Sequence, residues 1–438
     1  MKASIRSVAV VLAAAALAAG CVSGDKLIGS AAPTIGTPLL ARFVSMGNSI
    51  TAGMQSAGIN DSTQKQAYPV LLARMANVPF VYPSLTKPGC PPPYTAPLGA
   101  TGRLGGGTST TCFLRASFQG LVNNVAVPGE YVADLNSPAQ AGANNALGMF
   151  INGGLTEVQA MAAQQPTFVT LWAPNNDVLN AVNLGDTTAA VLTPLASYTA
   201  SLNAAVNAIK TANPQGAVLI GVVNVPAFAP VVQPGAFFFA AYSQAVGAGQ
   251  PSPFGKPVDP SCSPFTQTGQ PNAFGGNLVS FQAAADPSVT VIKCTPDAKW
   301  VTTTSVAGAA GGNAELPVFL TRIAQINAAV QAAATSNNWI YVDPNTALGA
   351  TALADPSKFR KCQGLATATD LASFQAAVLN TCPGPTAPNY FGSMVSFDAT
   401  HPSFAFHQAF ASYLAGVINT KYGTSITTTA PTALIVAR

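Results

Sequence analysis

Continuous apolar runs spaced between helix-patterned stretches set the strongest limit on how this chain can fold. Phe43 and Val44 open a run that stops at Gly47, Phe168 to Trp172 runs into Pro174, and Ala217 to Val225 and Ile340 to Val342 are apolar almost throughout. Such runs are too short for core helices and do not alternate, so they suit strands buried on both faces of a parallel sheet. Between them, apolar residues recur at helical spacing. Tyr68, Leu71, Leu72 and Met75 do so within 64–75, Tyr198, Leu202, Val206 and Ile209 within 194–211, then Phe319, Ile323, Ile326 and Val330, and finally Phe406, Phe410, Leu414 and Val417. Strands alternating with helices read as α/β. Further strands are expected at Phe80 to Tyr82 and Leu121 to Val127.

Two stretches break this rhythm. Residues 229–313 and 345–395 are rich in proline, glycine and aromatics and read as irregular insertions in one body spanning 40–425, with a tail at 426–438. The aromatic stretch Ala236 to Tyr242 is either a lid or acyl-binding wall, or the packing core of its insertion.

The N-terminus carries Lys2 and Arg6, an apolar run from Val8 to Ala19, then Gly20 and Cys21. It is too short for a membrane span and reads as a signal peptide over 1–20. Small residues before Cys21 resemble a bacterial lipoprotein cleavage site, so the chain is expected to be exported and held to a membrane by a lipid on Cys21. Residues 21–39 would form the tether; the alternative is plain secretion, with Cys21 discarded. Export accounts for the remaining cysteines, since disulfides persist outside the cytosol. They fall as sequential pairs, Cys90 with Cys112, Cys262 with Cys294 and Cys362 with Cys382, although other connectivities remain open. Charged residues make up only 8% of the chain, at a formal charge of +4 and without a basic run, which argues against nucleic-acid binding.

Chemistry is narrowed by scarcity, because the chain has only 2 histidines, His401 and His407. His401 lies in the sequence Asp398, Ala399, Thr400, His401, Pro402, where the proline suits the start of the last helix. A carboxylate three residues before a histidine can fix the imidazole tautomer, leaving the other nitrogen to take a proton from a serine. Alone, that spacing is more often a helix cap. His407, inside the helix, reads as structural or surface. A candidate nucleophile is Ser49 in the block Gly47, Asn48, Ser49, Ile50, Thr51, placed where a strand gives way to a turn.

Together the blocks resemble the SGNH family of hydrolases, the GDSL esterases and lipases. The four family landmarks occur in order: Ser49 in GNSIT, Gly129 in NVAVPG, Asn176 in PNND, and Asp398 with His401 in DATHP. Two positions depart from the family pattern, Asn48 for an aspartate and Pro174 for a glycine. The resemblance implies a flavodoxin-like three-layer α/β/α sandwich. It also implies a serine esterase in which Ser49 attacks, His401 moves the proton, Asp398 orients His401, and Ser49 N–H, Gly129 N–H and the Asn176 side chain hold the oxyanion. Deacetylation of polysaccharides or small molecules is another activity of the family, and a surface binding lipoprotein without turnover is the reading from a different class. No G-x-S-x-G elbow, Walker loop or dinucleotide fingerprint is present, and nothing suggests a metal cage or cofactor.

Overall fold

The computed structural model describes residues 36–114, 120–137, 145–304, 314–347, 358–359, 369–381 and 391–431. The leader, Cys21, Cys362 and Cys382 lie outside the described residues. In chain order the elements that build the body are β1 (Phe43–Gly47), α1 (Ser49–Ala52), α2 (Asp61–Lys65), α3 (Tyr68–Met75), α4 (Glu157–Ala163), β2 (Phe168–Trp172), α5 (Asn176–Leu184), α6 (Leu195–Ala212) and β3 (Gly216–Ile220). They continue with β4 (Val232–Pro234), α7 (Gly235–Gly247), β5 (Leu278–Ser280), β6 (Val301–Thr302), α8 (Glu315–Ser336), β7 (Ile340–Val342) and α9 (Phe404–Tyr422).

Strands β1, β2, β3 and β7 lie side by side in that order, every pair parallel. Successive side chains of a strand point to opposite faces, and both faces are dry. Val44, Met46, Val169, Leu171, Ala217 and Leu219 pack against α4, α5, α6 and α8. Phe43, Phe168, Trp172, Val218, Ile220 and Val342 pack against α3 and α9. This is the three-layer sandwich, and it explains why the strands read as unbroken apolar runs.

The two further expected strands are not formed. Residues 123–127 run beside β1 as a partial parallel edge, with Ser45 N–H bonding the Asn123 carbonyl at 2.8 Å and Val125 N–H bonding the Ser45 carbonyl at 3.0 Å. Val127 N–H continues the ladder to the Gly47 carbonyl at 3.2 Å, and the asparagine amides add to it: Asn123 Nδ2 donates to the Phe43 carbonyl and Asn124 Nδ2 to the Thr51 carbonyl, both at 2.8 Å. Val81, in the other segment, meets Asn123 through main chain and amide rather than a neighbouring strand.

The insertion at 229–313 is more ordered than its composition suggests. It holds α7 and an antiparallel sheet β4-β5-β6. Phe237 and Phe238 of α7 are buried against Phe254 and Phe281, so the aromatic stretch forms the core of the insertion rather than a lid. The disulfides Cys90–Cys112 and Cys262–Cys294 are present. The second insertion, where described, contributes a helix at Leu371–Thr381.

Candidate active site

The exit from β1 is shaped by Gly47. A Cβ there would lie 2.5 Å from the Trp172 carbonyl oxygen and 2.6 Å from Thr51 Oγ1, at a φ of +149°, so only glycine fits. Asn48 follows, with its Oδ1 accepting from Ile50 N–H at 3.4 Å to cap α1 and its Nδ2 donating to the Ala173 carbonyl at 3.0 Å. An aspartate could supply the cap but not that second bond, which ties the serine turn to the loop leading to Asn176. The departure at Asn48 is thus matched by its surroundings. Ser49 opens α1, where a first-turn N–H has no partner within the helix.

Gly129 sits at φ +91° in the turn after the segment beside β1. Asn176 opens α5, and its Nδ2 donates to the Glu130 carbonyl at 2.8 Å, which leaves one amide hydrogen for another acceptor. Its neighbour Asn175 is buried beside it, its Oδ1 accepting from Val223 N–H at 3.0 Å, and lines the same cleft.

The base-side loop turns on Ala399, a non-glycine residue at φ +62°. That turn folds Asp398 back on His401, whose Nδ1 lies 2.6 Å from Asp398 Oδ2. The carboxylate is densely satisfied. Oδ1 accepts from His401 N–H at 2.8 Å, Thr400 N–H at 2.9 Å and the Ser396 hydroxyl at 3.2 Å, and Oδ2 also accepts from Ala57 N–H. Burial alone would raise the Asp398 carboxyl; the His401 charge and these bonds outweigh it and hold it down to about 2. An ionised Asp398 accepts from Nδ1–H, so Nε2 is the free nitrogen of His401. Pro402 lies just ahead of α9, whose cap is Ser403 rather than the proline.

His407 has a different fate. It is fully buried, its Nδ1 accepts from Tyr68 N–H at 3.2 Å, and burial pushes it down to about 3, so it is a neutral core residue.

Ser49, Asn176 and His401 line one cleft, whose remaining walls are almost wholly apolar and include Leu179, Phe228 and Met394; its cavity volume is about 70 Å³. A second, wider cleft of about 440 Å³ is also lined by His401, with Asp398, Tyr94, Leu98, Phe254, Phe281 and Gln282. His401 and Thr400 thus line both a narrow apolar space and a broad mixed one. A serine hydroxyl, a tautomer-fixed imidazole and a half-satisfied amide around a water-poor cleft can support acyl transfer. Among the described residues no group of three His, Cys, Asp or Glu could hold a metal ion.

Neither a protein-family model nor a curated protein matches the sequence. Among solved structures, the chain is similar to a mutant of Axe2, an acetyl-xylooligosaccharide esterase from Geobacillus stearothermophilus, at 14% identity over 85% of this chain and 92% of that chain, with a TM-score of 0.33. It is also similar to a catalytic mutant of the same acetylxylan esterase at 14% identity over 87% and 94% of the two chains, TM-score 0.33, and to a further Axe2 mutant at 13% over 89% and 97%, TM-score 0.34.

Two residues near these loops escaped sequence reading. Glu130 and Glu157 are nearly solvent-free carboxyls in a chain with only 15 acidic residues, and that scarcity was the available signal.

Proposed function

We propose that the protein is a serine ester hydrolase of the SGNH type that removes a short acyl group from a larger alcohol. The observation that carries this is the Asp398–His401 pair on the rim of the cleft that also holds Ser49 and Asn176. Ser49 Oγ attacks the ester carbonyl carbon and its proton passes to His401 Nε2. The oxyanion is met by Ser49 N–H, Gly129 N–H and Asn176 Nδ2, donors fixed before charge develops. Collapse expels the alcohol, which takes the proton from His401, and water then cleaves the acyl-enzyme by the same steps in reverse order.

The size of the two clefts supports the chain-length reading. About 70 Å³ holds roughly five water-sized groups, enough for an acetyl or similar acyl group and far below a drug-sized pocket. The cleft of about 440 Å³ that His401 also lines has room for a sugar-sized group, and its aromatic and polar lining suits one. Deacetylation of a polysaccharide or small molecule is therefore the finer form of the proposal, ahead of long-chain lipase activity.

Hydrolysis of 4-nitrophenyl esters from acetate to palmitate, with Ser49→Ala beside the wild type, tests it. Activity highest at acetate and absent in Ser49→Ala is expected. A palmitate optimum refutes the short-acyl reading. Inertness of both proteins on nitrophenyl esters and on acetylated oligosaccharides alike favours a binding lipoprotein. Export and a lipid on Cys21 belong to the same proposal, supported by the leader pattern and by disulfides suited to an oxidising compartment. The mass of the mature N-terminal peptide decides it.

A further inference from the structure

Glu130 and Glu157 have no part in the acyl-transfer steps, yet they are 2% and 0% exposed and lie under the residues that do. Glu157 Oε2 accepts from Gly47 N–H at 2.8 Å and Glu157 Oε1 from Val127 N–H at 2.9 Å. Gly47 is two residues before Ser49, and Val127 two before Gly129. One carboxylate therefore clamps together the two turns that carry the main-chain oxyanion donors. Glu130 completes the arrangement, because its carbonyl accepts from Asn176 Nδ2 and its buried carboxyl acts electrostatically on Glu157. Burial raises Glu157 well above the usual carboxylate range, and Glu130 pushes the same way.

We propose that Glu157, braced by Glu130, is a positioning residue that sets the spacing of the Ser49 and Gly129 N–H groups. The proposal rests on the serine-hydrolase reading above. A carboxyl pair with a purely structural role would alter stability and leave the kinetics of folded protein unchanged.

The discriminating variant is Glu157→Gln, nearly isosteric, whose amide can accept one of the two N–H groups and must oppose the other. With 4-nitrophenyl acetate, kcat is expected to fall at least about tenfold with KM within about twofold, because small displacements of preplaced donors weaken the transition state more than the bound substrate. The inhibition constant of phenylboronic acid, whose tetrahedral adduct places an oxygen among the same donors, should weaken by a similar factor. Glu130→Gln leaves both Glu157 bonds to the turns in place and should lose several-fold less. If Glu157→Gln fails to fold, Glu157→Asp withdraws both oxygens by one methylene while keeping the carboxyl, and the same drop in kcat is expected. Wild-type kcat and inhibition in whichever of these variants folds, with Ser49→Ala dead, overturns the positioning role alone. Full activity in Ser49→Ala removes the hydrolase reading and this proposal with it.

Discussion

Replacing Asp398 with asparagine tests the base-side geometry most sharply. The carboxylate serves five donors: three on Oδ1, and Ala57 N–H with His401 Nδ1–H on Oδ2. An amide has one oxygen. Keeping it on the three-donor side turns Nδ2 toward Ala57 and His401, so the Ala57 N–H loses its acceptor and His401 can satisfy the new donor only by accepting at Nδ1. Its Nε2 then carries the proton and cannot take one from Ser49. A wrong tautomer of this kind lowers kcat by about 10⁴, or about 5.5 kcal/mol of barrier. The stability loss is smaller, about 1–3 kcal/mol for the stranded Ala57 N–H, so the variant remains folded. Burst and steady-state kinetics with 4-nitrophenyl acetate, beside a thermal melt, read both quantities. Retention of more than about a tenth of wild-type kcat in a folded Asp398→Asn protein would refute the view that Asp398 sets the His401 tautomer.

Other expectations follow from buried polar groups. His407 is pushed from 6.5 to about 3, so between those values the unfolded chain binds a proton that the folded chain does not. Its contribution is present above pH 6.5 and is lost on acidification at about 1.4 kcal/mol per pH unit. Asp177, raised by burial from 3.8 to about 7, acts in the opposite sense over most of that window. His407→Gln should therefore gain stability relative to wild type as pH falls from 6.5 towards 4, and parallel stability curves in urea would contradict this. Asn48→Asp removes the donor to the Ala173 carbonyl at a fully buried position and should destabilise by about 2–4 kcal/mol at pH 8, less at pH 5 where the carboxyl can protonate. Equal stability at the two pH values would argue against the tie. Reduction of Cys262–Cys294, read as the melting difference between Cys262→Ser and wild type, should cost about 3 kcal/mol.

The sheet was legible where burial on both faces leaves no other reading, as at Phe168–Trp172 and Ile340–Val342, which the structure reproduces to the residue. It was less so where side chains replace a ladder. Leu121 to Val127 has the composition of a strand, but Asn123 and Asn124 bond the main chain themselves. The helix Gly235–Gly247 was hidden because apolar residues surround it on most sides, leaving little period to detect. At the site, the Asp398–His401 contact could be anticipated because it closes within one turn. The Glu157 clamp could not, since Gly47 lies 110 residues away and nothing local to Glu157 marks its partner.

The route of the chain gives the two clefts separate capacities for change. Most of the wide cleft's wall, from Val231 to Ala285, is one uninterrupted stretch, and Val231 N–H joins it to the His401 turn through the Ala399 carbonyl at 2.9 Å. The narrow cleft instead collects its lining from scattered places, among them Ile50, Leu179, Phe228 and Phe406. Exchange of a single segment can thus reshape the wide cleft, whereas reshaping the narrow one requires concerted substitution on several elements of the sandwich. Divergence of this scaffold is accordingly easier in the wide cleft than in the narrow one.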